Sequence, residues 1–113
     1  MYNKRESGLI AEAAAAEFIQ SAGLIVLTRN YRTPYGEVDI IALDRDTLVF
    51  IEVKARRASE YGQGREAVNT AKQRKIQNCA LYFIQENGYG DKPIRFDVIE
   101  IMDSKIDHIK NAF

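Results

Sequence analysis

Three polar residues stand where strand-forming sequence should be apolar: Asp39 within VDIIAL, and Glu52 and Lys54 within TLVFIEVKA. Side chains of a strand alternate between two faces. On that rule Leu48, Phe50, Glu52 and Lys54 share one face of the second run, and Val49, Ile51, Val53 and Ala55 share the other. In the first run Glu37, Asp39, Ile41 and Leu43 share a face, opposite Val38, Ile40 and Ala42. A carboxylate among hydrophobes is costly unless it is paired or binds something. A hairpin turn at Asp44-Arg45-Asp46 sets Asp39 beside Glu52, and a divalent cation relieves the repulsion between adjoining carboxylates. Lys54 reaches the same place. The pattern has two readings: a metal site with an adjacent ammonium, or a buried ion-pair cluster without chemistry.

The elements that must position these groups can be read in turn. Both faces of the run 47–53 begin apolar, which predicts a central strand covered on both sides. Residues 5–22 read as a helix that Gly23 ends, with a stripe of Leu9, Ala13, Ala16 and Ile19 edged by Gln20. The small Ala13–Ala16 run lets this helix approach a sheet closely. Glu12 borders the stripe and reads either as a surface glutamate or as a carboxylate turned into the helix–sheet contact. Leu24–Asn30 reads as a short strand, and Tyr31–Gly36 as a turn fixed by Pro34. The loop 57–65, with two glycines, is either a lid or clamp over the E-x-K strand end or a plain connection.

A second helix is expected over 66–87, with Val68, Lys72, Ile76, Cys79/Ala80 and Phe83 along its inner stripe and Arg74 and Lys75 outside. Lys72 either snorkels to water or reaches the carboxylates. Asn87-Gly88 ends the helix. Ile94–Met102 is a strand, and Lys105–Lys110 an optional edge strand. His108 lacks a second His, Cys or Asp at ligand spacing and reads as structural. The fold class that follows is α/β, a mixed central sheet flanked by helices, in the order α-β-β-β-α-β with a short final strand optional.

At 113 residues the expectation is a single domain spanning 1–113. Formal net charge is zero, so no global field draws the chain to nucleic acid or membrane, but its distribution is uneven. Residues 54–75 carry seven basic and two acidic side chains: the bases are Lys54, Arg56, Arg57, Arg65, Lys72, Arg74 and Lys75. Such a segment suits a phosphate backbone or is simply a solvated face. The lone Cys79 excludes an intrachain disulfide and a Cys-rich metal site. No segment has the length of a membrane span, and a signal-peptide core is missing, so the expected setting is cytoplasmic, away from membrane.

The ordered set of Gly8 through Glu12-Ala13, Gly23, Arg29-Asn30-Tyr31-Arg32, Gly36-Glu37-Val38-Asp39, Phe50-Ile51-Glu52-Val53-Lys54, Lys72, Arg95-Phe96-Asp97 and Asn111-Ala112-Phe113 resembles the YraN-like family of bacterial endonuclease-like proteins. That family lies within the PD-(D/E)XK nuclease superfamily. Archaeal Holliday-junction resolvases are similar in the placement of the helix glutamate. Val38 stands where the superfamily has its proline, so only the acidic half of that motif carries over. The resemblance implies a restriction-endonuclease-like core and metal-dependent hydrolysis of DNA phosphodiesters, directed by structure or backbone. It implies Glu12, Asp39, Glu52 and Lys54 as catalytic residues, with Mg²⁺ or Mn²⁺ held by Asp39, Glu52 and the Val53 carbonyl. Arg56, Arg57, Arg65 and Lys72 would contact phosphates, and resolvase-like relatives imply a homodimer. The alternatives are a nucleic-acid-binding module that does not cut and a protein–protein adaptor.

Overall fold

The computed structural model describes residues 4–57, 59 and 68–113, with side chains from residue 8 onward. Its elements run α1 (Lys4–Ser21), β1 (Ile25–Thr33), β2 (Gly36–Asp44), β3 (Thr47–Ala55), α2 (Thr70–Asn87), β4 (Ile94–Met102) and β5 (Lys105–Ile109). The sheet order is β1-β2-β3-β4-β5, with every neighbouring pair antiparallel except β3 and β4. A parallel pair needs a crossover, and α2 lies within it. The mixed sheet flanked by helices is as expected, and the optional last strand is present.

Strand β3 is the axis of the core. Leu48, Val49, Phe50 and Ile51 are all fully buried, two towards each helix. Ile40, Ala42, Val49, Ile51, Ile99 and Ile101 pack with Ala11, Ala15, Ala16 and Ile19 of α1. Val38, Ile41, Leu48, Phe50 and Val98 pack with Ile76, Cys79, Ala80 and Phe83 of α2. Each large aliphatic side chain buried this way stabilises the fold by about 1.5–3 kcal/mol.

The structure departs from the sequence reading in four places. Strand β1 runs on to Thr33, so residues 31–33 are paired with β2 and only Pro34-Tyr35 turn. Helix α2 begins at Thr70: the Asn69 side chain accepts a bond from the Lys72 N–H, so Val68 is buried ahead of the helix rather than on its stripe. Helix α1 is rotated, because Leu9 is 53% exposed and Ala13 is exposed, while Ala11, Glu12, Ala15, Ala16 and Ile19 face the sheet. Four successive alanines carry no contrast that would set the phase. The alternation of β2 also breaks, since Val38 packs on the α2 side with Ile41 instead of joining Ile40 and Ala42.

That break matters for everything that follows. The β2–β3 ladder runs from Asp44↔Thr47 to Ile40↔Ile51 and stops, whereas β1–β2 pairing continues to Thr33↔Gly36. The β1–β2 hairpin therefore leaves β3 at Asp39. No helix of the described residues is long and apolar enough to cross a membrane.

Candidate functional site

The opening between β2 and β3 lets groups from both helical layers meet at the sheet. Where the ladder stops, the Asp39 side chain takes over from the backbone: its Oδ2 accepts the Val53 N–H at 2.8 Å. Continuing the register would put Asp39 opposite Glu52, and the two carboxylates do lie close enough to perturb one another. Glu12 enters from α1, 7% exposed, and Glu52 is 5% exposed. A pocket of about 530 Å³ is lined by Glu12, Asn30, Arg32, Glu37, Asp39 and Glu52, among others.

Cations approach from the α2 side. Lys72 Nζ lies 2.9 Å from Glu52 Oε1, so its side chain reaches the carboxylates from the inner stripe of α2. Lys54, two residues beyond Glu52 on β3, brings its ammonium to 3.9 Å from the same oxygen. Arg29 Nε stands 3.9 Å from Glu12 Oε1, too far for a hydrogen bond, and that oxygen is buried without a hydrogen-bond partner.

The electrostatics are strained. Burial, followed by the negative charge of Asp39, pushes Glu52 up to about 7 against the opposing pull of Lys72. Burial and then Asp39 also raise Glu12 above the usual carboxylate range. Burial and the neighbouring Lys72 ammonium lower Lys54. Burial works against the charge of Lys72, but the Glu52 carboxylate outweighs it and holds Lys72 above the usual lysine range. The like-charge contact of Asp39 with Glu52 is suited to a further cation.

Among the described residues no three His, Cys, Asp or Glu side chains close into a metal cage. Two carboxylates with room for water and phosphate oxygens are a usual protein donor set for Mg²⁺, which needs no protein cage. The crowding of Asp39 and Glu52 and the orphaned Glu12 oxygen both fit a divalent ion.

The remaining expected residues are distributed as follows. Arg56 is folded onto Glu100, Nε to Oε2 at 3.2 Å, with its side chain 17% exposed, so it is turned away from a free phosphate-binding pose. Arg57 is exposed beside it. Arg65 and most of the loop 57–65 lie outside the described residues. Sequence reasoning did not assign Glu100 to the site, yet it is fully buried and its Cα pairs with Lys54 across the parallel ladder. The signal was present: Ile99-Glu100-Ile101 is a charge inside an apolar strand, the same mark that singled out Glu52.

A five-stranded mixed sheet between two helices, with an acidic pair and a lysine where its central strands part, defines an α/β protein with a nuclease-like core. Residues 11–101 match the family model described as "Uncharacterised protein family UPF0102", and the chain belongs to that family. The matched span holds Glu12, Asp39, Glu52, Lys54 and Lys72. A UPF0102 protein of Desulfosudis oleivorans is 44% identical over 116 residues, covering 100% of this chain and 94% of its own. One from Francisella tularensis is 47% identical over 110 residues, covering 96% of this chain and 94% of its own. One from Thermodesulfovibrio yellowstonii is 44% identical over 110 residues, with 96% of each chain covered. This is the family to which the sequence motifs pointed.

Proposed function

We propose that the chain is a metal-dependent endonuclease that hydrolyses DNA phosphodiester bonds, a single domain working in the cytoplasm. The observation that carries this reading is the pairing of Asp39 and Glu52 at the parted strands, with Glu52 raised to about 7 and two lysines against it. Asp39, Glu52 and the Val53 carbonyl would hold Mg²⁺ or Mn²⁺, which when bound supplies an acidified water and a counter-charge for the phosphoryl oxygens.

The protein's own groups have separate tasks. The Val53 N–H fixes the Asp39 carboxylate by donating to it, which sets one ligand before any ion arrives. Lys72 and Lys54 hold charge where negative charge grows on the scissile phosphate. Glu12 orients water at the α1 wall of the pocket. Arg57 and Arg65 are assigned to backbone phosphates, which position a substrate without reading its bases. A homodimer would offer the two symmetric cuts that a branched substrate requires.

One observation favours a second reading. Lys72 at 2.9 Å from Glu52 already acts as an internal cation, so the cluster can rest without metal. On that reading the protein binds nucleic acid and does not cut it.

A panel of flap, junction, single-stranded and duplex DNA incubated with Mn²⁺ or Mg²⁺ separates the two. We expect cleavage of at least one substrate, reduced about 100-fold or more in Asp39→Ala and Glu52→Ala while circular dichroism shows them folded. No products with any substrate, alongside salt-dependent binding, would establish the non-cutting module. Cleavage unchanged in both variants would identify a contaminant.

A further inference from the structure

The turn joining β1 to β2 holds a large aromatic side chain in water. Tyr35 is 54% exposed, and its ring meets that of Tyr82 on α2 edge-on, with centroids 6.3 Å apart and planes at 62°. The turn itself is fixed. Thr33 Oγ1 accepts the Tyr35 N–H at 3.0 Å, donates to the Gly36 carbonyl at 3.3 Å and lies 3.1 Å from Cys79 Sγ. Gly36, at φ 145°, lies flat on α2: a Cβ there would meet the Lys75 Cβ at 3.4 Å. Two-residue hairpin tips favour Asn, Asp and Gly. Pro34-Tyr35 instead presents a ring on a stiff base, and core packing does not account for a side chain so exposed.

Its surroundings are polar and cationic. Arg32 has 79% of its side chain exposed and reaches Glu37 at 3.4 Å, an exposed pair worth little and readily exchanged for a phosphate. Lys75 is exposed on α2 next to the turn. Arg32 and Glu37 line both the acidic pocket and the shallow pocket at the turn, so the two form one continuous surface.

We propose that this turn is a stacking platform for an unpaired base, which makes the substrate DNA with a single-stranded segment leaving a duplex. The inference rests on the nuclease reading of the adjacent pocket and adds the substrate class. Inside a duplex both faces of a base are covered by its neighbours, so an exposed ring finds a stacking partner only in an unpaired nucleotide. Tyr35 takes the base, Tyr82 backs the ring, and Arg32 and Lys75 meet the flanking phosphates. The duplex part then lies towards Asp39 and Glu52.

The test is binding without divalent metal, so that it does not depend on cutting. A flap oligonucleotide carrying 2-aminopurine in the unpaired segment is titrated with wild type, Tyr35→Ala, Tyr35→Leu and Tyr35→Phe, and melting curves monitor the fold. We expect tighter binding of the flap than of a duplex of equal length, with quenching of the 2-aminopurine. Tyr35→Ala and Tyr35→Leu should lose the quenching and weaken flap binding about tenfold, Tyr35→Phe should keep both, and duplex binding should not change. Leucine keeps the apolar contact with Tyr82, so it stands in if the alanine variant melts early. Equal affinity for flap and duplex, or quenching that survives in the leucine variant, overturns the platform. A protein that stacks the base yet yields no products with Mn²⁺ keeps the platform and removes the nuclease reading; one that cuts regardless of Tyr35 does the reverse.

Discussion

Among the described residues, two buried acidic clusters are built on opposite terms. At the first, around β4 and β5, Asp97 is fully buried and accepts four hydrogen bonds. Two come from Arg95 at 2.9 and 3.0 Å, one from His108 Nε2 at 2.7 Å and one from the Asn111 N–H at 2.9 Å. Burial alone would raise its pKa, but the bonds from His108, Arg95 and Asn111 outweigh burial and hold it below the usual range. Arg95 also reaches Asp44 at 2.9 Å. At the second cluster Glu52 is raised to about 7 and an oxygen of Glu12 has no hydrogen-bond partner. Asp97 has every acceptor site used by the protein itself. Asp39, Glu52 and Glu12 have capacity left for something that is not protein. A fold tolerates such unfinished electrostatics where function requires it, and completes them elsewhere.

The sharpest way to break this comparison is to remove each acid and measure stability. Asp97→Ala leaves the Arg95 and His108 side chains, 19% and 8% exposed, facing an empty acceptor site. It also removes one of the ties on residues 111–113, the bond from the Asn111 N–H. We expect a loss of about 3–5 kcal/mol by urea denaturation, the range for breaking a buried, hydrogen-bonded charge pair. Glu52→Gln, at a position nearly as buried, should cost no more than about 1 kcal/mol, because it removes a charge that its surroundings already disfavour. Equal losses in the two variants would mean that both clusters are structural.

The pH dependence of the Glu52 variant refines the contrast. Glu52 has a folded pKa of about 7, above the ordinary value of 4.5, so the native state holds its proton more tightly than the unfolded chain. That contribution to stability is fully present below about 4.5 and is lost as pH rises through about 7. Glu52→Gln keeps a neutral group at every pH. Its stability relative to wild type should therefore improve between pH 5 and pH 8, by about 2–3 kcal/mol. Divalent metal should do for wild type what the substitution does for the variant. Millimolar Mn²⁺ is expected to raise the melting temperature of wild type more at pH 8 than at pH 6, where it competes with a proton, and to leave Asp39→Ala unmoved. A shift that is the same in wild type and Asp39→Ala would locate the ion elsewhere.

The same contrast explains what could be read from the sequence. Strands β3 and β4 were legible because bulky, β-branched residues load both faces, and any polar residue among them is conspicuous. Asp39, Glu52 and Lys54 stand out in the sequence this way, and hairpin register brings the first two together. The Asp97 cluster was not legible as a cluster. Arg95 lies two residues away on the same strand, but His108 and Asn111 come from the next strand and the segment after it, and a lone His108 gives no ligand spacing to notice. The sequence pattern ends β1 at Asn30 because Tyr31-Arg32-Thr33 lack an apolar pattern; their pairing with β2 rests on backbone hydrogen bonds, which have no sequence signature. The parting of β2 from β3 at Asp39 was hidden for a related reason. Strict alternation assumes an unbroken ladder, and Val38 changes sides where the ladder ends.

The phase of α1 is the least legible feature and gives the smallest expected effect. Ala13 and Ala15 look alike in sequence, yet Ala15 has no exposed surface and Ala13 faces water. Ala15→Leu should cost about 1–3 kcal/mol through overpacking against the sheet, while Ala13→Leu should stay within about 0.5 kcal/mol. The reverse ranking would return α1 to the Leu9–Ala13–Ala16 stripe. It would also take Glu12 out of the pocket, because Glu12 lies on the helix face that Ala15 and Ile19 bury. In the observed phase the bulk added at Ala15 pushes that face off the sheet and lifts Glu12 away from Asp39. The small alanines of α1 thus set how close a third carboxylate comes to the acidic pair, and a modest change in helix packing becomes a change in the charge of the pocket.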